Sequence, residues 1–203
     1  MTAMRGIIHH MQIDHVLIAA SDLDVAATRL EADHGLRAVH GGRHVGIGTE
    51  NRIVPLGRGY LELIAVHDAA EAASSPLGSA LATRIAAVGD GLMGWAVAVE
   101  DVGAHAARVG AELSAIARSG LTASLAGVAT AMTEPYLPFF IQRDPGVADP
   151  SAAGDYGGLT WIEVAGDEER LAAWLGPDHG MPVRVTDGPP GVRAVGIGDR
   201  RLR

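Results

Sequence analysis

The chain has 203 residues, with 24 acidic side chains against 16 basic ones, a formal charge of −8, and 48% hydrophobic residues. It contains no cysteine, and every basic residue is arginine. Disulfide frameworks, thiol nucleophiles, cysteine-held zinc, Schiff-base lysines and the lysine of a phosphate-binding P-loop are therefore excluded. An acidic balance without an arginine cluster also argues against nucleic acid or an anionic membrane as partner, which leaves a small molecule. A chain of this size buries roughly 70% of its unfolded surface, enough for a core without metal or disulfide staples.

The first eleven residues hold one arginine and the His9-His10 pair but no apolar run of signal-peptide length. The longest apolar stretches, near Leu92–Val99 and Ala123–Ala131, fall short of the roughly 20 residues of a membrane helix, so a cytoplasmic protein is expected. Ile13–Ala20 reads as a β-branched strand, and Ser21-Asp22-Leu23-Asp24 as a helix start closed by Gly35. Strand-like Leu36–Val39, a glycine-rich connection Gly41–Gly48, strand-like Asn51–Leu56, a turn at Gly57–Gly59 and strand-like Tyr60–Val66 complete a βαβββ order. Ala69–Gly89, rich in alanine and serine, reads as a linker with a helical turn or two.

A shift of 79 residues lays Ser21-Asp22-Leu23 on Glu100-Asp101-Val102 and Ala27-Thr28-Arg29-Leu30 on Ala106-Ala107-Arg108-Val109, so a second βαβββ unit spans about residues 92–143. Asp144–Gly157 reads as a surface loop. A weaker echo follows over residues 158–203: a strand at Leu159–Val164, a helix at Glu168–Leu175 and, after Gly188-Pro189-Pro190-Gly191, a final strand pair. The expectation is an α+β fold: residues 12–143 build a curved, cup-like sheet from two modules, 12–66 and 92–143. A β-α-β-β extension either completes that sheet or packs outside it as a dimerisation element, so a homodimer is an open expectation.

Asp14-His15-Val16, the Ser-Asp-Leu-Asp helix start, Gly41-Gly42-Arg43-His44, Gly48-Thr49-Glu50-Asn51, Tyr60-Leu61-Glu62-Leu63-Ile64, Gly94-Trp95-Ala96-Val97 and Leu137-Pro138-Phe139-Phe140-Ile141-Gln142 together resemble the vicinal oxygen chelate superfamily, and within it the glyoxalase-like domain proteins. The resemblance implies a cup whose concave face holds a small ligand and often one divalent metal, in enzymes that include lyases, isomerases and dioxygenases and in relatives that only sequester drugs. It also implies that His15 and Glu62 point into the cup as metal ligands, of a kind suited to zinc, iron, manganese or nickel. Glu62 or a metal-bound water would then serve as base.

The second module departs from that pattern. By the 79-residue shift Gly94 stands where His15 stands, and Glu62 maps to Ile141, or to Gln142 if the strand slips by one. Two protein ligands are fewer than the three of a typical catalytic zinc site. His44, His40 and His67 are the candidates for a third. His44 is also the candidate ligand-contacting residue of the glycine-rich stretch. Asn51 and Arg143 are expected to orient a polar substrate group, an amide offering donor and acceptor and a guanidinium clamping a carboxylate. Tyr60, Trp95 and Gln142 complete the expected ligand-binding set, with aromatic side chains walling the pocket. His9, His10, His34, His105 and His179 are read as surface residues. Two functions stay open: a metal-assisted lyase, isomerase or dioxygenase, and a metal-free binding or sequestering protein.

Overall fold

In a computed structural model, residues 11–118, 120–177 and 179–203 are described; His9 and His10 lie outside them. Strand β1 (Gln12–Ala19) leads into helix α1 (Leu23–His34), which Asp22 caps by accepting from the Asp24 and Val25 amides at 2.8 and 3.0 Å and Gly35 ends at φ 67°. Then follow β2 (Val39–His44), β3 (Thr49–Pro55), β4 (Tyr60–Val66), α2 (Ala69–Ser74), α3 (Pro76–Val88), β5 (Gly91–Ala98), α4 (Val102–Val109), β6 (Leu113–Arg118), β7 (Leu121–Ala126), α5 (Val128–Thr133) and β8 (Phe139–Arg143). The C-terminal part is β9 (Leu159–Ala165), α6 (Glu168–Leu175), β10 (Val183–Thr186), β11 (Gly191–Ile197) and β12 (Arg200–Leu202).

Eight strands form one curved sheet in the order β2-β3-β4-β1-β5-β8-β7-β6. β1 runs parallel to β4, β5 runs parallel to β8, and the two halves join antiparallel along β1 and β5. This is the α+β architecture of two repeated modules that the 79-residue shift implies. The sheet curls until its edges meet: the Val45 amide donates to the Ala117 carbonyl at 3.1 Å, tying the end of β2 to β6. The C-terminal strands form a second sheet, β10-β9-β11-β12, outside the cup.

Two cores sit on the two faces of the large sheet. On the convex side Val16, Trp95, Val97 and Phe140 pack with Leu30 of α1, Ala106 of α4 and Ile162 and Val195 of the second sheet. On the concave side Leu17, Met93, Phe139 and Ile141 pack with Leu81 of α3 and Val128 of α5.

Strand β2 begins at Val39, where the expected strand Leu36–Val39 ends, α5 is a helix the sequence reading lacks, the C-terminal unit has three strands rather than two after its helix, and two longer stretches also differ from the sequence reading. The stretch read as a linker is two helices, with Ser75 accepting from the Gly78 amide at 3.2 Å and Pro76 opening α3. Leu77, Leu81, Ile85 and Val88 give α3 the apolar stripe that roofs the cup. The glycine-rich Gly41–His44 is strand, because its glycines let β2 lie close against β3: a Cβ at Gly41 would run into the Asn51 side chain and backbone oxygen.

Candidate functional site

The concave face, α3 and α5 enclose a cavity of about 550 Å³ that includes its mouth. Leu77, Leu81, Leu125, Val128 and Met132 make one end apolar, while His15, His44, Asn51, Tyr60 and Glu62 gather at the other.

Strand alternation places these side chains. His15 and Leu17 face the cup from β1, and Tyr60, Glu62 and Ile64 face it from β4, where His15 is registered against Tyr60 and Leu17 against Glu62. A β-bulge in β1 between Ile13 and His15 leaves Asp14 unpaired with β5. That irregularity lets consecutive side chains meet, and Asp14 Oδ1 lies 2.6 Å from His15 Nδ1.

Asp14 is 4% exposed, and Arg143 NH1 and NH2 donate to its two carboxylate oxygens at 2.6 Å each. Burial alone would raise its pKa, but His15 and Arg143 outweigh burial and hold it below the ordinary carboxylate value. An ionised Asp14 only accepts, so His15 carries its hydrogen on Nδ1 and turns Nε2 toward Glu62. Tyr60 stacks on the His15 ring at 4.7 Å and 18°. Burial, followed by Asp14 and Glu62, raises the Tyr60 pKa far above its ordinary value, so it stays a phenol.

Glu62 is 7% exposed and His15 is 3% exposed. Asn51 Nδ2 donates to Glu62 Oε1 at 2.7 Å and lies 3.2 Å from His44 Nε2. One amide hydrogen serves each, which leaves His44 Nδ1 to donate to Thr49 Oγ1 at 2.8 Å. The opposite amide orientation would turn Oδ1 against the carboxylate. Oδ1 instead lies beside the Gly41 Cα without a hydrogen-bond partner. Burial, which outweighs the Glu62 charge, lowers the His44 pKa, in keeping with a neutral ring. Glu62 Oε2 is left facing His15 Nε2 across 3.5 Å, too far for a hydrogen bond of normal length. His15 Nε2 and Glu62 Oε2 thus share one gap in the cavity wall.

The expected site residues separate into two sets. His15, His44, Asn51, Tyr60 and Glu62 come together around the cavity. Trp95 does not line it: registered against Val16, it points to the convex side, is fully buried and donates from Nε1 to the Tyr136 carbonyl at 3.0 Å. Gln142 also faces away, and its Oε1 accepts from the Val102 amide at the start of α4 at 3.0 Å. Phe139, registered against Ala96 as Glu62 is against Leu17, stands in the place of Glu62, with Ile141 two residues further along the same face; β8 is thus offset by two residues from the strict 79-residue shift, and Gln142 lies on the opposite face. Arg143 clamps Asp14 of its own chain rather than standing open to a ligand carboxylate. His40 and His67 are exposed and lie off the cavity wall, whereas His105 is half-buried, 5.0 Å from the Phe140 ring. The sequence reading missed Asp14, whose signal is its adjacency to His15, and Arg118, which enters the cavity wall from β6.

His15 and Glu62 converge as a metal pair would, but the second half faces the cup with Gly94 and Ile141, and a Cβ at Gly94 would meet only open space. The other acceptors nearby, Glu62 Oε1 and His44 Nε2, take the two hydrogens of Asn51. Among the described residues no three His, Asp or Glu side chains form a group that would hold an ion. The donor set does not fit a resident divalent metal.

The sequence matches the glyoxalase-like domain family over residues 13–178. No curated protein sequence matches it significantly. Among solved structures, it is similar to a hypothetical protein from Staphylococcus aureus at 16% identity and TM-score 0.67, covering 90% of this chain and 88% of that one. Methylmalonyl-CoA epimerase from Mycobacterium tuberculosis aligns at 22% identity and TM-score 0.49, over 72% of this chain and 93% of that one. A Streptomyces coelicolor methylmalonyl-CoA epimerase in complex with 2-nitronate-propionyl-CoA aligns at 19% identity and TM-score 0.47, over 67% and 96% of the two chains. Among the described residues no helix is long and apolar enough to cross a membrane. With most of its length matched and its halves paired in one curved sheet, the chain belongs to the glyoxalase-like domain family.

Proposed function

We propose that the cup binds a small, largely apolar carbonyl compound and that Glu62 takes a proton from the carbon next to the carbonyl, as an isomerase or lyase requires. The observation that carries this reading is the gap between Glu62 Oε2 and His15 Nε2, 3.5 Å apart in the wall of a largely apolar cavity. A carboxylate inside a water-poor pocket is a stronger base toward a carbon acid than one in water, provided that its geometry is fixed. Asn51 fixes Oε1, and the gap leaves Oε2 to the ligand. Asp14 holds the His15 tautomer so that Nε2 can take over the proton from Glu62 or return it to the carbanion.

The test is deuterium exchange of the α-hydrogens of 2-oxopentanoate and 2-pentanone in D₂O, followed by NMR. The wild type accelerates exchange of one or both probes and Glu62→Gln abolishes the acceleration. Equal rates for wild type and Glu62→Gln would overturn the assignment of Glu62 as base.

A second reading, a binding or sequestering protein, is favoured by Gly94 and Ile141, which give the second half of the cup no counterpart to His15 and Glu62. Binding of both probes without any exchange would select it.

A further inference from the structure

We propose that the ligand of this cup is a carbonyl compound with an aliphatic tail, and that the tail runs out to solvent between α3 and α5, past Leu77 and Met132. The proposal rests on the reading of the cup as a small-molecule site with Glu62 beside the carbonyl, and adds to it the shape of the molecule.

Exposure is graded along the cavity wall. The polar lining, His15, His44, Asn51, Tyr60 and Glu62, is buried throughout. The half-buried members of the described wall are Leu77, Ile116, Arg118 and Met132, so the cavity meets solvent where these four stand. Arg118 is engaged at the seam of the sheet, with NH1 3.4 Å from the Gly41 carbonyl of β2. The other three are apolar. An opening rimmed by leucine, isoleucine and methionine in front of a buried carboxylate and imidazole reverses the usual order, in which polar groups face water and apolar ones are hidden. It suits a ligand that enters with its polar head first and leaves its apolar part in the opening.

The two roof helices carry the gradient in step. Leu81 of α3 is buried and Leu77, one turn earlier, is half-buried; Val128 of α5 is buried and Met132, one turn later, is half-buried. Four residues of helix rise about 6 Å, and residues four apart share a face. Since α3 and α5 pack against each other, these two pairs form a track about one turn long from the closed part of the cup to its rim. Neither helix offers the cavity a polar side chain along it, so a carbonyl finds no partner there, whereas an alkyl chain is taken out of water. The rim is built in and is not a swinging lid: a Cβ at Gly78, next to Leu77, would strike the Ile47 carbonyl and Ala72, so the first turn of α3 rests backbone to backbone on its neighbours. Met132 brings an unbranched, adaptable side chain to the other side of the passage.

The test uses the full chain and the methyl ketones 2-pentanone, 2-heptanone, 2-nonanone and 2-undecanone, titrated separately and followed by the methyl signals of the protein in NMR. Each methylene that enters the track leaves water, so affinity rises about fourfold per carbon up to the rim, then levels off without falling as further carbons pass into solvent. 2-Pentanone moves the signals of Leu81 and Val128, and the longer ketones add those of Leu77 and Met132. Met132→Gln, which places an amide at the rim, lowers the ratio of 2-nonanone to 2-pentanone affinity by about threefold or more. A collapse of affinity between consecutive ketones, no gain with length, or an unchanged ratio in Met132→Gln would overturn the tail assignment, while binding of 2-pentanone would leave the cup a ligand site. No binding of any of the four up to its solubility limit would overturn the cup reading and this proposal together.

Discussion

Removing Arg143 tests how the two halves of the sheet hold His15. Arg143→Met keeps the apolar stem but deletes both 2.6 Å bonds to Asp14, leaving a buried carboxylate with only His15 as partner. Breaking one side of a buried pair costs about 3–5 kcal/mol. The Arg143 side chain is 16% exposed, so water reaches the vacated site, and His15 still bonds Asp14. The expected loss is therefore at the lower end, about 3 kcal/mol, which in a chain of this size lowers the melting temperature by about 6–12 °C. Asp14→Asn keeps an oxygen for His15 but removes the charge, so the double variant is less damaged than the sum of the singles, with a coupling of about 2 kcal/mol. Because the folded pKa of Asp14 is depressed, the contribution of the pair is present above the ordinary value of 3.8 and is lost as pH falls through the folded value. Urea denaturation at pH 7 and below pH 3.8 measures both effects. An Arg143→Met variant within about 1 kcal/mol of wild type at pH 7, or additive single variants, would refute the reasoning.

Three further outcomes follow from the same geometry. The folded pKa of His44 lies below its ordinary 6.5, so this residue's contribution to stability is full above pH 6.5 and falls away as pH drops through the folded value. His44→Gln flattens the pH dependence of urea denaturation in that window, and an unchanged slope would contradict a buried neutral ring. Gly41→Ala drives a Cβ into the Asn51 side chain and backbone oxygen, costing about 1–3 kcal/mol in thermal denaturation and shifting the Asn51 side-chain amide signals in NMR; unshifted signals would contradict the packing. Trp95→Phe leaves the Tyr136 carbonyl unpaired in the core and costs about 1–3 kcal/mol, while 2-heptanone affinity stays that of wild type. A loss of affinity without a loss of stability would place Trp95 back at the ligand.

Much of the scaffold is written in local signals. Asp22 before α1, Asp101 before α4 and Asp167 before α6 are N-caps, and the repeat carries the parallel partnership of β1 with β4 onto that of β5 with β8, with the register of β8 offset by two residues. The roof over the cup was legible too, in Ser75-Pro76 and the spacing of Leu77, Leu81, Ile85 and Val88, but its alanine and serine content resembles a linker. Strand parity decides the site residues. If Gly94 takes the place of His15, then Trp95 takes that of Val16, which faces the convex core, and Gln142, one residue beyond the inward Ile141, faces the same way. Asp14 escapes alternation because the bulge brings it to the side of His15, a feature of strand pairing rather than of sequence. Arg118 escapes because β6 turns Leu113, Ala115 and Ala117 outward, against the usual rule for a half-buried strand.

The central claim is that the space beneath α3 and α5 receives a ligand beside Glu62. Its most direct test is a set of intermolecular nuclear Overhauser effects between the chain protons of 2-heptanone and the methyl groups of the protein. Contacts to Ile64, Leu81 and Ile141 are predicted, since all three border the cavity. Saturable binding whose only contacts fall on the second sheet or the outer helices would contradict it.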